Sequence, residues 1–305
     1  MGRIAIFTDD PGWHGARLKR AFAARGFESA YVSLSQCRFE ITGGNAPVVL
    51  PGFEAQLPSG VFVRGIPGGT LQQVTFYLGI LHALRHLGIP VYNDAAAIER
   101  TVDKSMTSFL LRHRGLPTPP TWVLNDREEA RAVARRELES GHQVISKPLF
   151  GSQGEGLQRY ESVEQLGDLA DSNGIYYLQR FIHCGDESHD WRVFVINGKT
   201  VAAMRRCGLT WLNNVAQGAR CEPARLDDLL LCRLAEDAVK TVDMAYAGVD
   251  IIRDAHGRYT VIEINSVPAW KGLQSVSQPV IADALADDFL RRCEICLQSD
   301  SQAAR

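Results

Sequence analysis

Short apolar runs alternate with amphipathic stretches of helical period from the start of the chain. Arg3 to Phe7 has the length of a strand, and His14 to Arg25 is helical in pattern and closes at Gly26. A second strand is expected at Gly60 to Arg64. After it, Leu71, Val74, Leu78 and Leu81 recur at helical spacing until Gly88 and Pro90. Strand–helix–strand alternation predicts a parallel sheet covered by helices. A first boundary is expected near Asn93-Asp94. The next segment opens with a helix ending at Gly115 and Pro117. Asp126 and Glu129 then form a capping box for a helix that stops at Gly141, and Val144 to Pro148 and Ile175 to Ile182 read as strands. The last segment reads as antiparallel. Trp191 to Ile196 and Lys199 to Met204 flank Asn197-Gly198, a strong hairpin signal. A long helix is expected from about Leu226 to Tyr246, followed by strands Val249 to Arg253 and Tyr259 to Ile264.

Composition narrows the class of function. The chain has 305 residues, 45% apolar and 22% charged, with a net charge of -2. That balance fits a globular enzyme and disfavours nucleic acid or an anionic membrane as partner. No stretch approaches the roughly 20 apolar residues of a membrane helix, and the first apolar run is too short for a signal peptide. The seven cysteines form no paired framework, so they read as reduced thiols of a cytoplasmic protein.

The chemistry gathers in the last third. If residues 255 to 258 form the hairpin loop, Asp250 falls opposite Glu263, about 5 Å away on one face. Asn265, two residues on, points the same way. Opposed carboxylates in an apolar strand pair call for a cation, and magnesium takes such hard oxygen ligands. A solvated acidic hairpin is the plainer alternative. Lys147 ends a strand and leads into Gly151, Ser152, Gly154 and Gly156. Such glycines let backbone N–H groups face an anion, although a glycine-rich hairpin reads the same way. Asp103-Lys104 lies near the start of a helix, where a lysine is ordinarily a surface residue. Arg192 lies inside an apolar strand, two residues after Asp190, and needs an anion; Asp190 is not an obvious one. Arg64 ends a first-domain strand beside a helix start that suits a substrate carboxylate, or is an ordinary turn. His82 and His86 have the spacing of metal ligands but no third partner, and they read as surface residues.

Taken in order, these features resemble the RimK-like ATP-grasp ligases, the alpha-L-glutamate ligases, with a pattern nearest the LysX and MptN branch. The ordered set is Asp103-Lys104, Lys147-Pro148 with its glycines, Gln179-Arg180-Phe181-Ile182, Asp190-x-Arg192, Asn214-x-x-x-Gly218, Gly248-Val249-Asp250 and Glu263-Ile264-Asn265-Ser266-x-Pro268. The resemblance implies an α/β (α+β) chain in three domains. These are a Rossmann-like pre-ATP-grasp domain over 1–93 and ATP-grasp subdomains over 94–180 and 181–305, with ATP between the last two. It implies that Lys104 and Lys147 contact phosphates under the loop of Gly151, Ser152, Gly154 and Gly156. Gln179, Arg180, Phe181 and Ile182 frame adenine through their backbone, and either Asp186 or Glu187 meets the ribose. Asp250, Glu263 and Asn265 hold Mg2+ or Mn2+, as two ions. Arg192 faces the transferred phosphate, and Arg64 and Asn214 lie on the substrate side. The implied reaction joins a carboxylate to an amine through an acyl phosphate. L-glutamate added to a small acidic acceptor, with tetrahydromethanopterin as candidate, is the leading expectation. Another amino acid joined to a peptide or protein C-terminus, and a non-catalytic ATP-binding regulator, are the alternatives. Expected partners are small molecules, with self-association into a homo-oligomer left open.

Overall fold

The computed structural model describes residues 2–42, 47–151, 155–185, 188–208, 210–211 and 218–303. The first sheet is parallel, in the order β2-β1-β5-β6, from β1 (Arg3–Phe7), β2 (Glu28–Val32), β5 (Gly60–Val63) and β6 (Val91–Tyr92). A two-strand ladder, β3 (Arg38–Phe39) with β4 (Val48–Val49), lies beside it. Two helices, α1 (Gly12–Ala24) and α2 (Leu71–His86), make its crossovers. In α2 the buried face is Tyr77, Ile80, Leu81 and Leu84, and Leu71 is 77% exposed. The expected face was therefore rotated: both sets have helical spacing, but Thr70 caps the helix and leaves Leu71 in the solvated first turn.

Where one helix was expected there are two, α3 (Ala95–Val102) and α4 (Lys104–His113). They are divided because Asp103 accepts the Ser105 and Met106 N–H groups at 2.8 and 3.2 Å and so starts α4 afresh. A second, antiparallel sheet has the order β7-β10-β8-β9, from β7 (Thr121–Leu124), β8 (Val144–Lys147), β9 (Gln158–Tyr160) and β10 (Tyr176–Arg180). Helix α5 (Arg127–Glu139), capped by Asp126, packs on it around a small core of its own that includes Ala130, Val144 and Leu178.

The third sheet is antiparallel, ordered β13-β12-β11-β14-β15. Its strands are β11 (His189–Ile196), β12 (Lys199–Cys207), β13 (Arg220–Pro223), β14 (Tyr246–Arg253) and β15 (Tyr259–Asn265). Helix α6 spans Leu229–Thr241, shorter than expected: Asp228 caps its start, and Asp243, at φ +58°, turns the chain out toward β14. The chain ends with α7 (Lys271–Ser275) and α8 (Ile281–Ala303).

The first and third sheets share their cores. Ile4, Ile6 and Phe62 pack in one cluster with Phe194, Tyr246 and Phe289, and Phe7 and Val63 pack in another with Val193, Val249 and Val261. Asn93 fixes the two sheets together. Fully buried, it donates to the Tyr246 and Ser266 carbonyls, both at 2.8 Å, and accepts from the Ala245 and Tyr246 N–H groups. No described helix is long and apolar enough to cross a membrane.

Candidate active site

Between the second and third sheets runs a cleft of about 870 Å³. Its floor is set by strand register. Asp250 on β14 lies opposite Glu263 on β15, as expected, but by a different route. The ladder pairs Arg253 with Tyr259 and Ile251 with Val261, one residue out of the expected register. A bulge at Ile262 then restores Asp250 to Glu263. The bulge also lets Val261 and Ile264, three residues apart, both enter the core, while Ile262, Glu263 and Asn265 line the cleft.

Asp250 is also opposite Arg192 on β11, and both arms of that guanidinium bond its carboxylate, Nη2 to Oδ2 at 2.8 Å. The anion for Arg192 within the protein is thus Asp250. Asp190 belongs to another cation, Arg206, which grips it at 2.6 and 2.8 Å and reaches across to Asp250 at 3.0 Å. Four buried or nearly buried charges form a chain: Asp190, Arg206, Asp250, Arg192. Burial alone would raise the Asp250 carboxyl, but Arg192 and Arg206 outweigh it and hold the group down at about 2. The apolar pattern stops at Met204 and hides Arg206, whereas β12 runs on to Cys207. A bulge between Phe194 and Val195 also shifts the hairpin, so that Asp190 faces Arg206 instead of Arg205.

Two lysines face this floor from the other side. Lys147, the last residue of β8, donates to Gln179 Oε1 at 2.7 Å. Gln179 is 1% exposed and is itself held by Thr121 and Tyr177, at 3.0 and 3.1 Å. Burial pushes the Lys147 ammonium down to about 8, against the pull of Glu263. Lys104, at the start of α4, donates to the Gly151 carbonyl at 3.0 Å, and burial lowers it too. Gly156, at φ +70°, sits where a Cβ would lie 2.8 Å from Pro148, so the loop needs glycine there for both backbone and space.

The remaining expected residues divide. Arg180 and Phe181 have their N–H groups bonded to Pro120 and Gln143, both at 2.9 Å. Of Arg180, Phe181 and Ile182, Ile182 alone keeps a backbone donor without a partner among the described residues. The Arg180 guanidinium turns to Glu137 on α5 at 2.7 and 3.0 Å and is a structural tie. Phe181 lines the cleft under Arg159, near Trp211. Arg64 reaches the far end of the cleft. Ser152, Gly154, Asp186, Glu187 and Asn214 lie outside the described residues. His82 pairs with Glu99 at 2.9 Å on the surface.

The donor set suits a hard divalent cation. Asp250 and Glu263 are opposed, Asn265 shares their face, and the Glu263 carboxylate has no hydrogen-bond partner among the described residues. Bound there, such a cation supplies Lewis-acid neutralisation of phosphate oxygens.

A model of the RimK-like ATP-grasp domain matches residues 101–288, more than half of the chain. The chain belongs to the RimK-like ATP-grasp family. It is therefore an ATP-dependent ligase, of a family that works with ATP and Mg2+. Tetrahydromethanopterin:alpha-L-glutamate ligase of Methanocaldococcus jannaschii is 34% identical over 225 residues, covering 71% of this chain and 75% of that one. A probable alpha-L-glutamate ligase of Legionella pneumophila is 27% identical over 301 residues, covering 93% and 94%. Among solved structures, the ATP-grasp ligase PsnB complexed with minimal precursor, Mg and ADP superposes with a TM-score of 0.71. It is 22% identical and covers 95% of this chain and 98% of that one, a likeness of fold.

Proposed function

We propose that this RimK-like ATP-grasp protein adds L-glutamate to a small acidic acceptor, for which tetrahydromethanopterin is the candidate, by way of an acyl phosphate. The observation that carries the reading is the convergence of Lys104, Lys147, Arg192 and Arg206 on a cleft floored by Asp250, Glu263 and Asn265. A carboxylate is a poor electrophile. Its oxygen attacks the γ-phosphorus of ATP, the bond to the bridging oxygen breaks, and ADP leaves. The amine of the amino acid then attacks the acyl carbon, the carbon–oxygen bond to phosphate breaks, and the amine loses its proton. Both steps gather negative charge on phosphoryl oxygens, so positioned cations supply most of the catalysis.

In this reading Lys104 and Lys147 hold the phosphates under the loop of Gly151 and Gly156. Ile182 offers its free N–H to adenine, beside Phe181. Asp250, Glu263 and Asn265 hold two divalent ions. Arg192 and Arg206 face the group being transferred, and Arg64 lies on the substrate side. The nucleotide then sits between segments 94–180 and 181–305. The M. jannaschii relative, similar over about seven-tenths of this chain, supports the choice of glutamate and of a pterin acceptor. The complete set of cations and carboxylates argues against a regulator that has lost catalysis.

The test is ADP release in the presence of glutamate and each candidate acceptor, with the product identified by mass spectrometry. Glu263→Gln keeps the shape and removes one charge. It is expected to abolish turnover with circular dichroism unchanged; near-normal activity would mean the cation site is misassigned.

A further inference from the structure

The cleft continues past the carboxylates into a basic stretch that the phosphate chemistry leaves unused. Its position follows from β15. At the hairpin end of that strand, Ala255 N–H bonds the His183 carbonyl at 3.2 Å, next to Ile182. Glu263 and Asn265 come next. Val267 follows, and its carbonyl accepts from Arg64 Nη1 at 3.3 Å. Two residues span at most about 7 Å, so Arg64 is anchored a short reach beyond Asn265, on the side away from adenine.

Two cations line this end, Arg64 and Lys271, and among the described residues neither has a carboxylate within ion-pair distance. The Arg64 guanidinium is held over the Trp270 ring at 5.2 Å, and its bond to Val267 is the one hydrogen bond of this side chain among the described residues. Its Nε–H is buried with no acceptor. A buried donor left unbonded is costly, and one attached to a cation more so. Lys271 is exposed toward the cleft and bonds nothing in the described chain. The neighbouring imidazole does not neutralise them. His14 accepts the Trp270 N–H on Nε2 at 3.0 Å, and burial, then Arg64 and Lys271, push it down to about 4. Asp10 lies near enough to favour the Arg64 charge but forms no ion pair with it.

We propose that Arg64 and Lys271 together hold the carboxylate of the attacking amino acid, so that the co-substrate is a free, anionic amino acid. This rests on the ligase reading above. In a free amino acid the carboxylate lies at a short, constant distance from the attacking nitrogen. Holding it beyond Asn265 delivers the amine to an acyl phosphate formed over Asp250 and Glu263. An amine carried on a peptide whose carboxyl is already an amide gives these two cations nothing to bind.

Calorimetric titration of protein loaded with ADP and Mg2+ tests this, with free L-glutamate, L-aspartate and L-alanine set beside their α-carboxamides. The free acid of the cognate amino acid is expected to bind, and its α-carboxamide at least tenfold more weakly. Lys271→Gln, at an exposed position, and Arg64→Lys, in case larger changes at Arg64 disturb folding, should each weaken the free acid. The expected loss is roughly tenfold to a hundredfold for one charged hydrogen bond, with ATP affinity unchanged and the preference over the amide reduced. Equal binding of acid and amide, or no effect of Lys271→Gln, overturns the proposal. An equal loss of ATP affinity also overturns it and reassigns the pair to phosphate. If ATP with Mg2+ raises the melting temperature but no free amino acid binds, the anchor falls and the nucleotide site stands. If ATP gives no stabilisation, the ligase reading falls and takes this one with it.

Discussion

Arg192 is bonded on both arms to Asp250, and Asp250 keeps a second cation in Arg206. Exchanging Arg192 for lysine therefore leaves the carboxylate paired, and removes the planar fork that can hold two phosphoryl oxygens at once. For Arg192→Lys the expected outcome is a fall in turnover of roughly a hundredfold to a thousandfold, the usual cost of one preorganised charge contact. The ATP dissociation constant should move far less. Calorimetry of ATP binding beside amino-acid-dependent ADP release decides it; equal losses in both would make Arg192 a ground-state binding residue. Lys147 yields a pH prediction. An unfolded lysine holds its proton to about pH 10.4, whereas in the fold burial brings Lys147 down to about 8, with Glu263 resisting. Between those values the folded chain binds fewer protons than the unfolded one, so this group's contribution to stability rises with pH there. In the proposed function ATP affinity runs the other way, because there phosphate is met by the charged form. From pH 7 to pH 9, at constant free Mg2+, ATP binding should weaken about tenfold. In Lys147→Met that slope should vanish, and a slope that persists would locate the titrating group elsewhere.

At the scale of elements, Gly248 shows how strand packing sets the site. It pairs with Phe194 on one side and Asn265 on the other. A Cβ there would lie 2.9 Å from Pro268 Cβ and 3.0 Å from Arg192 Cδ. Gly248→Ala adds one methyl and no charge, yet it must displace either the loop after Asn265 or the Arg192 stem. A loss of about 1–3 kcal/mol in chemical denaturation is expected from overpacking, with turnover falling by more than that loss explains. Unchanged stability and turnover would show that the packing there is slack. The same scale explains what was legible in the sequence. The long periodic helices, the Asn197-Gly198 hairpin and the pairing of Asp250 with Glu263 could all be read from residue types and spacing. The partner of Asp190 could not. The turn alone sets Arg205 opposite Asp190, and a bulge after Phe194 replaces it with Arg206. The second bulge offset a loop one residue longer than expected and so kept a correct pairing for an incomplete reason. Bulges are chosen by how two faces pack in three dimensions, which a local period does not record. Helix α2 teaches the same lesson, since two apolar stripes of equal period competed and the core settled which was buried.

At the scale of the whole molecule, the first and third sheets are a single packed body, and the second sheet keeps a small separate core. Phe62 touches Tyr246 and Phe289 at ring-centroid distances of 5.5 and 5.9 Å, Tyr92 stacks on Tyr246 at 4.9 Å, and Asn93 bonds across the same junction. The residues that carry the family's signature, 101–288, stop one short of Phe289 and omit Ile4, Ile6, Phe62 and Tyr92. This has a practical consequence for anyone dissecting the chain by homology. A fragment trimmed to the matched boundaries would retain the lysines and carboxylates of the cleft and lose much of the apolar surface against which its largest sheet packs. Contiguous exposed apolar patches of that kind drive association. Expressed alone, residues 101–288 are expected to accumulate as aggregate in size-exclusion chromatography, whereas the full chain elutes as a discrete species. A well-behaved, folded 101–288 fragment would show that the aromatic junction contributes little. The catalytic unit, in the sense of what can be cut out and still fold, is then larger than the stretch by which its relatives are recognised.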